Sequence, residues 1–367
     1  VSWLLAFLGF AALIILHEFG HFIAAKAVGM RVEKFSLFFG PMLAKFQRGE
    51  TTYGIAALPL GGYVKITGMN PAEEIPPEVA HRAYYRQPVW KRIVVIAAGP
   101  LMNVVIAFLL IWGLIVFHGL NDPDPQQARS VAAIEKGSPA ASALKPGDTI
   151  VAVDGKTDNA GFQKAIASHT CAGTPTQGCR ASTAATIVVD RDGTRQTLKV
   201  TPVYDADLKR TRLGFSYGYP DGYDMPTRTE GPISAAGTSV DQMWFVTHTT
   251  VTSIVKIFYN SEARKQVSGV VGSYEATRQS FEFDTAQAIW ILALISLSLA
   301  VVNLFPFLPL DGGHIFWAVA EKLRGRPIAF SVMERAGFIG FALVAVLFVV
   351  GLSNDIGRLT GEGFQVR

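Results

Sequence analysis

The sequence predicts an α-helical membrane protein with about four transmembrane helices, a membrane-associated β-hairpin region and an inserted small domain rich in β-strand. Three observations carry that reading. Of 367 residues, 50% are hydrophobic and only 17% are charged, where a soluble domain carries about 25%. Mean hydropathy is +0.30. Four apolar runs approach or exceed the roughly 20 residues that cross a bilayer, and the stretch between the second and third is polar. The composition excludes disorder, which needs low hydrophobicity and high charge. It also excludes a bundle wholly buried in lipid. The net charge of +4 is small and dispersed, so nucleic acid is not expected as a partner.

The first run covers residues 3–25. It lacks a basic leading segment and carries His and Glu in its second half, so it reads as a span and not as a signal peptide. Residues 31–67 are rich in β-branched and aromatic side chains, broken by Gly40-Pro41, Gly49, Pro59 and Gly61-Gly62. That pattern predicts short strands, with a hairpin over residues 51–66. Its apolar content places it at the membrane surface or dipping into it, which irregular backbone tolerates only when buried in protein or lining a wet cavity. The second span covers residues 93–117.

The polar stretch divides. Residues 131–202 alternate strand-like runs (Ile150-Val-Ala-Val, Thr186-Ile-Val-Val) with the turn signals Lys145-Pro-Gly-Asp and Asp190-Arg-Asp-Gly. Residues 204–234 are rich in Gly, Pro and Tyr and read as extended. Residues 241–259 are amphipathic, with Trp244, Val251, Ile254, Val255 and Phe258 at helical spacing, suited to packing on a neighbour or lying flat on a membrane. The third span covers residues 286–310 and the fourth 336–352. The expected divisions are 1–118 for the first membrane half, 126–203 for the inserted domain, 204–285 for a linker with the amphipathic helix, and 286–367 for the second membrane half.

Lys and Arg crowd the connection between the first two spans and that between the last two (Lys322, Arg324, Arg326, Arg335). The positive-inside rule then puts both connections in the cytoplasm, and both termini and the inserted domain outside. Cys171 and Cys179 fall in that outer part, either as two free thiols or as a small disulfide-closed loop.

The chemistry concentrates in His17-Glu18-Phe19-Gly20-His21 of the first span. On a helix, His17 and His21 project from one face and can share a metal ion. Glu18 lies about 100° round from His17, so it borders the ion and is free to act as a general base. This is the H-E-x-x-H arrangement of zinc hydrolases. A charged group near mid-bilayer costs on the order of 3 kcal/mol, so three ionisable residues clustered in an apolar run mark a function. A third ligand is required. Asp311, in Asn303-Leu-Phe-Pro306-Phe-Leu-Pro309-Leu-Asp311-Gly312-Gly313-His314, stands at the same membrane face by the topology above, with His314 as a rival.

These two motifs together resemble the bacterial site-2 protease family of intramembrane zinc metalloproteases. Gly99-Pro100-x-x-Asn103 and Gly61-Gly62-Tyr63-Val64 are similar to that family's patterns, and residues 137–155 resemble the PDZ-like α+β domain that its bacterial branch inserts. The resemblance implies Zn2+ held by His17, His21 and Asp311, Glu18 as catalytic base, and Asn303 positioning substrate backbone or the oxyanion. It implies a hairpin carrying Gly61, Gly62 and Tyr63 that receives unwound substrate by strand addition. It further implies a multi-pass protein of the bacterial inner membrane. The expected substrates are single-span proteins already trimmed by another protease, such as anti-sigma factors or remnant signal peptides. Gly269-Val-Val-Gly272 lacks the proline of the related family segment, so no clamping role is expected of it. A non-enzymatic reading, a zinc-binding transporter or receptor, uses the same three ligands. A membrane-tethered protease acting on soluble peptides is another. His81, His118, His169 and His248 show no partner pattern and read as bland.

Overall fold

The computed structural model describes residues 1–70, 73–121, 129–206, 208–218, 226–326 and 328–360. The chain divides into two compact units, residues 1–118 with 229–367, and residues 119–228.

In the first unit, α1 (Ser2–Ala27) leads into β1 (Val32–Arg48) and β2 (Thr51–Ile66), and α2 (Val89–Phe117) follows. The strands correct the expected hairpin. The two halves of Thr51–Ile66 do not pair with each other. The first half of β1 runs between them: Lys34 pairs with both Lys65 and Thr52, and Leu37 with both Gly62 and Ile55. The second half of β1 folds back, pairing Ala44 with Ile55 and Arg48 with Thr51. The bends fall where the chain adopts left-handed backbone, at Phe38 and Gly40 in β1 and at Gly61 in β2. Phe39, Leu43, Phe46, Ile55 and Leu58 are exposed on this sheet, the apolar surface expected of a membrane-associated element.

The second unit begins with β3 (Leu120–Asn121), β4 (Ser130–Ile134), β5 (Thr149–Val153), α3 (Asn159–Ser168), β6 (Ala185–Arg191) and β7 (Thr194–Val200). It ends with β8 (Val203–Asp205), β9 (Arg210–Arg212), β10 (Phe215–Gly218) and β11 (Thr227–Arg228). Five strands form an antiparallel sheet in the order β10-β4-β5-β6-β7, with Phe162 of α3 buried against Ile150, Ile187 and Val189. The alternation along β6, with Ala185, Ile187 and Val189 inward, is the period-two pattern of a half-buried strand. The unit is larger than the expected 126–203, because part of the segment read as a linker supplies β8 to β10. Residue 126 and residues 219–225 of the Gly-, Pro- and Tyr-rich stretch lie outside the described residues. Cys171 and Cys179 form a disulfide. His169 is not partnerless: its ring bridges Asp154 Oδ2 at 2.9 Å and Thr183 Oγ1 at 2.6 Å.

The chain returns to the first unit as α4 (Pro232–Ile257), α5 (Ser261–Gln266), α6 (Val270–Phe283), α7 (Thr285–Asn303), α8 (Asp311–Arg324) and α9 (Phe330–Thr360). Among the described residues, α1, α2, α7 and α9 are long and apolar enough to cross a membrane. The third span is shorter than expected. Helix α7 stops at Asn303, and residues 304–310, with Pro306 and Pro309, turn into α8. The fourth is longer, and its Asp355 accepts from the backbone N–H groups of Gly269 and Gly272 at the start of α6. That carboxylate satisfies two donors at the helix start.

Candidate metal centre

The centre lies where α1, α2 and α8 meet, and glycine makes the approach possible. A Cβ at Gly20 of α1 would overlap the Ala98 carbonyl of α2, and one at Gly99 of α2 would overlap the His21 ring. Both positions require a bare backbone so that the two helices can close on the imidazoles.

Val95, Gly99 and Asn103 recur every four residues, so they share one face of α2. Each serves the histidines differently. The Val95 carbonyl accepts from His21 Nδ1 at 2.8 Å. Gly99 seats the His21 ring, and the Asn103 amide nitrogen stands 3.1 Å from His17 Nδ1. Ser296 of α7 donates its hydroxyl to the Asn103 backbone carbonyl at 2.9 Å, joining the third long helix to the same point.

Asp311 opens α8. A Cβ at Gly312 or Gly313 would strike the backbone of residues 304–308, so the two glycines let α8 start directly against that turn. At its other end α8 is tied to α2 by Arg92, whose guanidinium grips both oxygens of Glu321 at 3.0 and 2.7 Å. The Asp311 carboxylate consequently reaches 3.3 Å from His17 Nε2 and 3.4 Å from His21 Nε2, and the two Nε2 atoms are 3.3 Å apart. Both histidines are buried.

Three donor atoms converge on one point. Among the described residues His17, His21 and Asp311 form the group able to hold a metal ion, and His314 is not in it. Asp311 Oδ2 is buried and takes no hydrogen bond, which is costly for a carboxylate oxygen without a cation. Two imidazoles and one carboxylate leave a fourth position open, the donor set of a catalytic zinc site. The His21 Nδ1–H bond to Val95 fixes Nε2 as the free nitrogen of that ring.

Glu18 sits beside this point. Its stem packs on β2, where a Cβ at Gly62 would come within 2.9 Å of Glu18 Cγ. The Val64 backbone faces its carboxylate. Gly61 holds a φ of +124°, and Tyr63 stacks on Phe39 with ring centroids 5.4 Å apart. Asn303, the last residue of α7, is half-buried, and among the described residues its side chain makes no hydrogen bond.

Sequence reasoning brought His17, Glu18, His21 and Asp311 to this point. It gave no role to Asn103, Ser296 or the Arg92–Glu321 pair. The available signal was Asn103 itself, an amide inside the apolar run of α2.

A sequence profile of Peptidase family M50 matches residues 5–347. Zinc metalloprotease Rip1 of Mycobacterium tuberculosis is 30% identical over 395 residues, covering 93% of this chain and 93% of that protein. A protein of Nostoc, provisionally named a zinc metalloprotease, is 30% identical across 99% of this chain and 98% of its own length. Another of Rhizobium meliloti, also provisionally so named, is 29% identical across 95% of this chain and 94% of its own.

Proposed function

Because the chain belongs to Peptidase family M50, we propose that it is a zinc-dependent endopeptidase of the site-2 type, cleaving transmembrane segments of membrane-anchored proteins within the bilayer. One observation carries the reading: His17, His21 and Asp311 converge amid apolar membrane-type helices, with Glu18 alongside. Zinc bound there supplies a Lewis acid that polarises the scissile carbonyl and makes water acidic enough to attack near neutral pH.

This chain's own residues do the rest. A transmembrane helix hides its peptide bonds in internal hydrogen bonds, so it must unwind to be cut. Residues 62–66 of β2 pair with β1 on one edge, while Gly62 and Val64 lie against Glu18. An extended substrate adds along that strand, as peptides add to exposed sheet edges elsewhere. Gly62 lets the strand lie against the Glu18 stem, Gly61 lets it lie against the Phe39 ring, and Tyr63 stiffens it by stacking on Phe39. Glu18 takes a proton from the attacking water and hands it to the leaving amine. Asn303 turns its free amide to the substrate backbone or the oxyanion.

The protein sits in the bacterial inner membrane with its Lys- and Arg-rich connections in the cytoplasm. The β-domain then lies outside, in the oxidising compartment that its disulfide suits. We read that domain as PDZ-like. Its edge strand β10 and α3 border a groove of about 330 Å³ lined by Gln163, Ile166, Leu213 and Tyr217, able to receive a peptide terminus. The substrate is a single-span protein already trimmed outside by another protease, such as an anti-sigma factor or a remnant signal peptide.

The test is cleavage of a reconstituted single-span substrate by wild-type and Glu18→Gln protein, with products mapped by mass spectrometry. The reading expects a cut inside the apolar segment, lost on chelation, and a rate lower by about 10²–10⁴-fold in the Gln variant. Cleavage confined to flanking soluble residues, or an undiminished Gln variant, contradicts it.

A further inference from the structure

The two histidines are oriented by different kinds of acceptor. His21 uses a backbone carbonyl, which no substitution removes. Among the described residues His17 has only a side chain facing its Nδ1, the amide of Asn103. We propose that Asn103 is the positioning residue for His17, and that its amide sets which nitrogen of that ring is free for the metal. The proposal rests on the metal reading above.

Asn103 is fully buried. Its amide nitrogen stands 3.1 Å from His17 Nδ1. In the same orientation Asn103 Oδ1 is buried with no partner. A cation on Nε2 fixes the tautomer of the ring. The proton then belongs on Nδ1, and Nδ1–H needs an acceptor. The same amide, turned by half a rotation, brings the unpartnered Oδ1 to that place. A carboxamide alone among neutral side chains offers both a donor and an acceptor of nearly equal shape. Asn103 Oδ1 is therefore the acceptor that holds His17 with Nε2 turned to the metal.

A plain structural role for this side chain is separable from the proposed one. The tie between α2 and α7 runs through the Asn103 backbone carbonyl, which Ser296 reaches whatever side chain residue 103 carries. What a substitution removes is the contact with His17. Outer contacts to a ligating histidine typically contribute about 10–100-fold in metal affinity.

The experiment titrates metal-free, detergent-purified protein with zinc against a chromophoric chelator, and follows the visible absorption of the cobalt-loaded forms. Asn103→Leu removes the acceptor at similar size. Asn103→Asp keeps an acceptor and gives up the donor. The proposal expects Asn103→Leu to bind zinc about 10–100-fold more weakly with a shifted cobalt spectrum, and Asn103→Asp to remain within a few-fold of wild type. It expects the metal-free Leu variant to melt as metal-free wild type does. Should Leu fail to fold, Asn103→Ala makes the same comparison with Asp. Wild-type affinity in Leu or Ala, or equal losses in Asp and the apolar variants, overturns the role of Asn103. A wild-type protein that takes up no zinc contradicts the metal reading instead.

Discussion

Asp311 Oδ2 stands 3.3 Å from His17 Nε2, a contact between the first residue of α8 and the middle of α1 that no local pattern can set. It depends on the turn at residues 304–310, on Gly312 and Gly313 lying bare against that turn, and on the Arg92–Glu321 tie at the far end of α8. The centre is therefore a tertiary construction, and its parts fail in distinguishable ways.

Two glycines separate metal binding from catalysis. In Gly99→Ala the new methyl meets the His21 ring, so the helices must part or the ring must move. Overpacking of this kind costs about 1–3 kcal/mol, and the variant is expected to melt lower and to lose zinc together with activity. In Gly62→Ala the methyl meets the Glu18 stem, so zinc content should hold while cleavage slows. Metal analysis beside a cleavage assay checks both; full zinc in Gly99→Ala would show that the seat is not needed.

Arg92 and Glu321 should matter through stability. Arg92 is buried and Glu321 partly exposed, so removing Arg92 leaves a half-buried carboxylate without its partner, costing about 1–3 kcal/mol. Arg92→Leu is expected to unfold early and cleave poorly. The double variant Arg92→Leu with Glu321→Leu should recover most of the stability. Thermal unfolding of the three proteins decides, and a double variant no better than the single would show that the tie is more than a compensated pair.

The β-domain should weaken at acid pH through Asp148. Burial alone would raise its carboxyl, but both oxygens are gripped by Arg191 at 2.7 Å and one also accepts from the Lys145 backbone N–H, which holds it below the ordinary aspartate range. Its native pKa is thus below its unfolded one. The stabilisation is complete above the unfolded value of about 3.9 and disappears as pH falls through the depressed native value. Hydrogen exchange of β5 and β6 in the full-length protein should show protection that falls at low pH in the wild type. In Arg191→Met it should already be reduced near neutrality and fall less. Parallel pH profiles in the two proteins would contradict this.

What could be read beforehand follows the range of each interaction. His17, Glu18 and His21 lie within two turns of one helix, so their shared face was legible from spacing. Asp311 was reachable because membrane topology and a family resemblance supplied the long-range information that spacing lacks. The expected hairpin fails because Pro59 and Gly61 announce where a strand bends but not which strand lies beside it, and here β1 lies between the halves. Strand β10 was hidden for the same reason, since its partner β4 is far off in sequence. Helix α7 is shorter than its apolar run because apolarity continues past Asn303 through residues whose prolines end the helix. Asn103 was visible as a polar residue in an apolar run, but its contact with His17 exists only once α1 and α2 meet.

The most direct measurement is zinc content per chain in purified wild-type, Glu18→Gln and Asp311→Ala protein, determined by elemental mass spectrometry. A hydrolase centre built from α1 and α8 predicts about one zinc in the first two and almost none in the third. Stoichiometric zinc in Asp311→Ala, or none in the wild type, would contradict it.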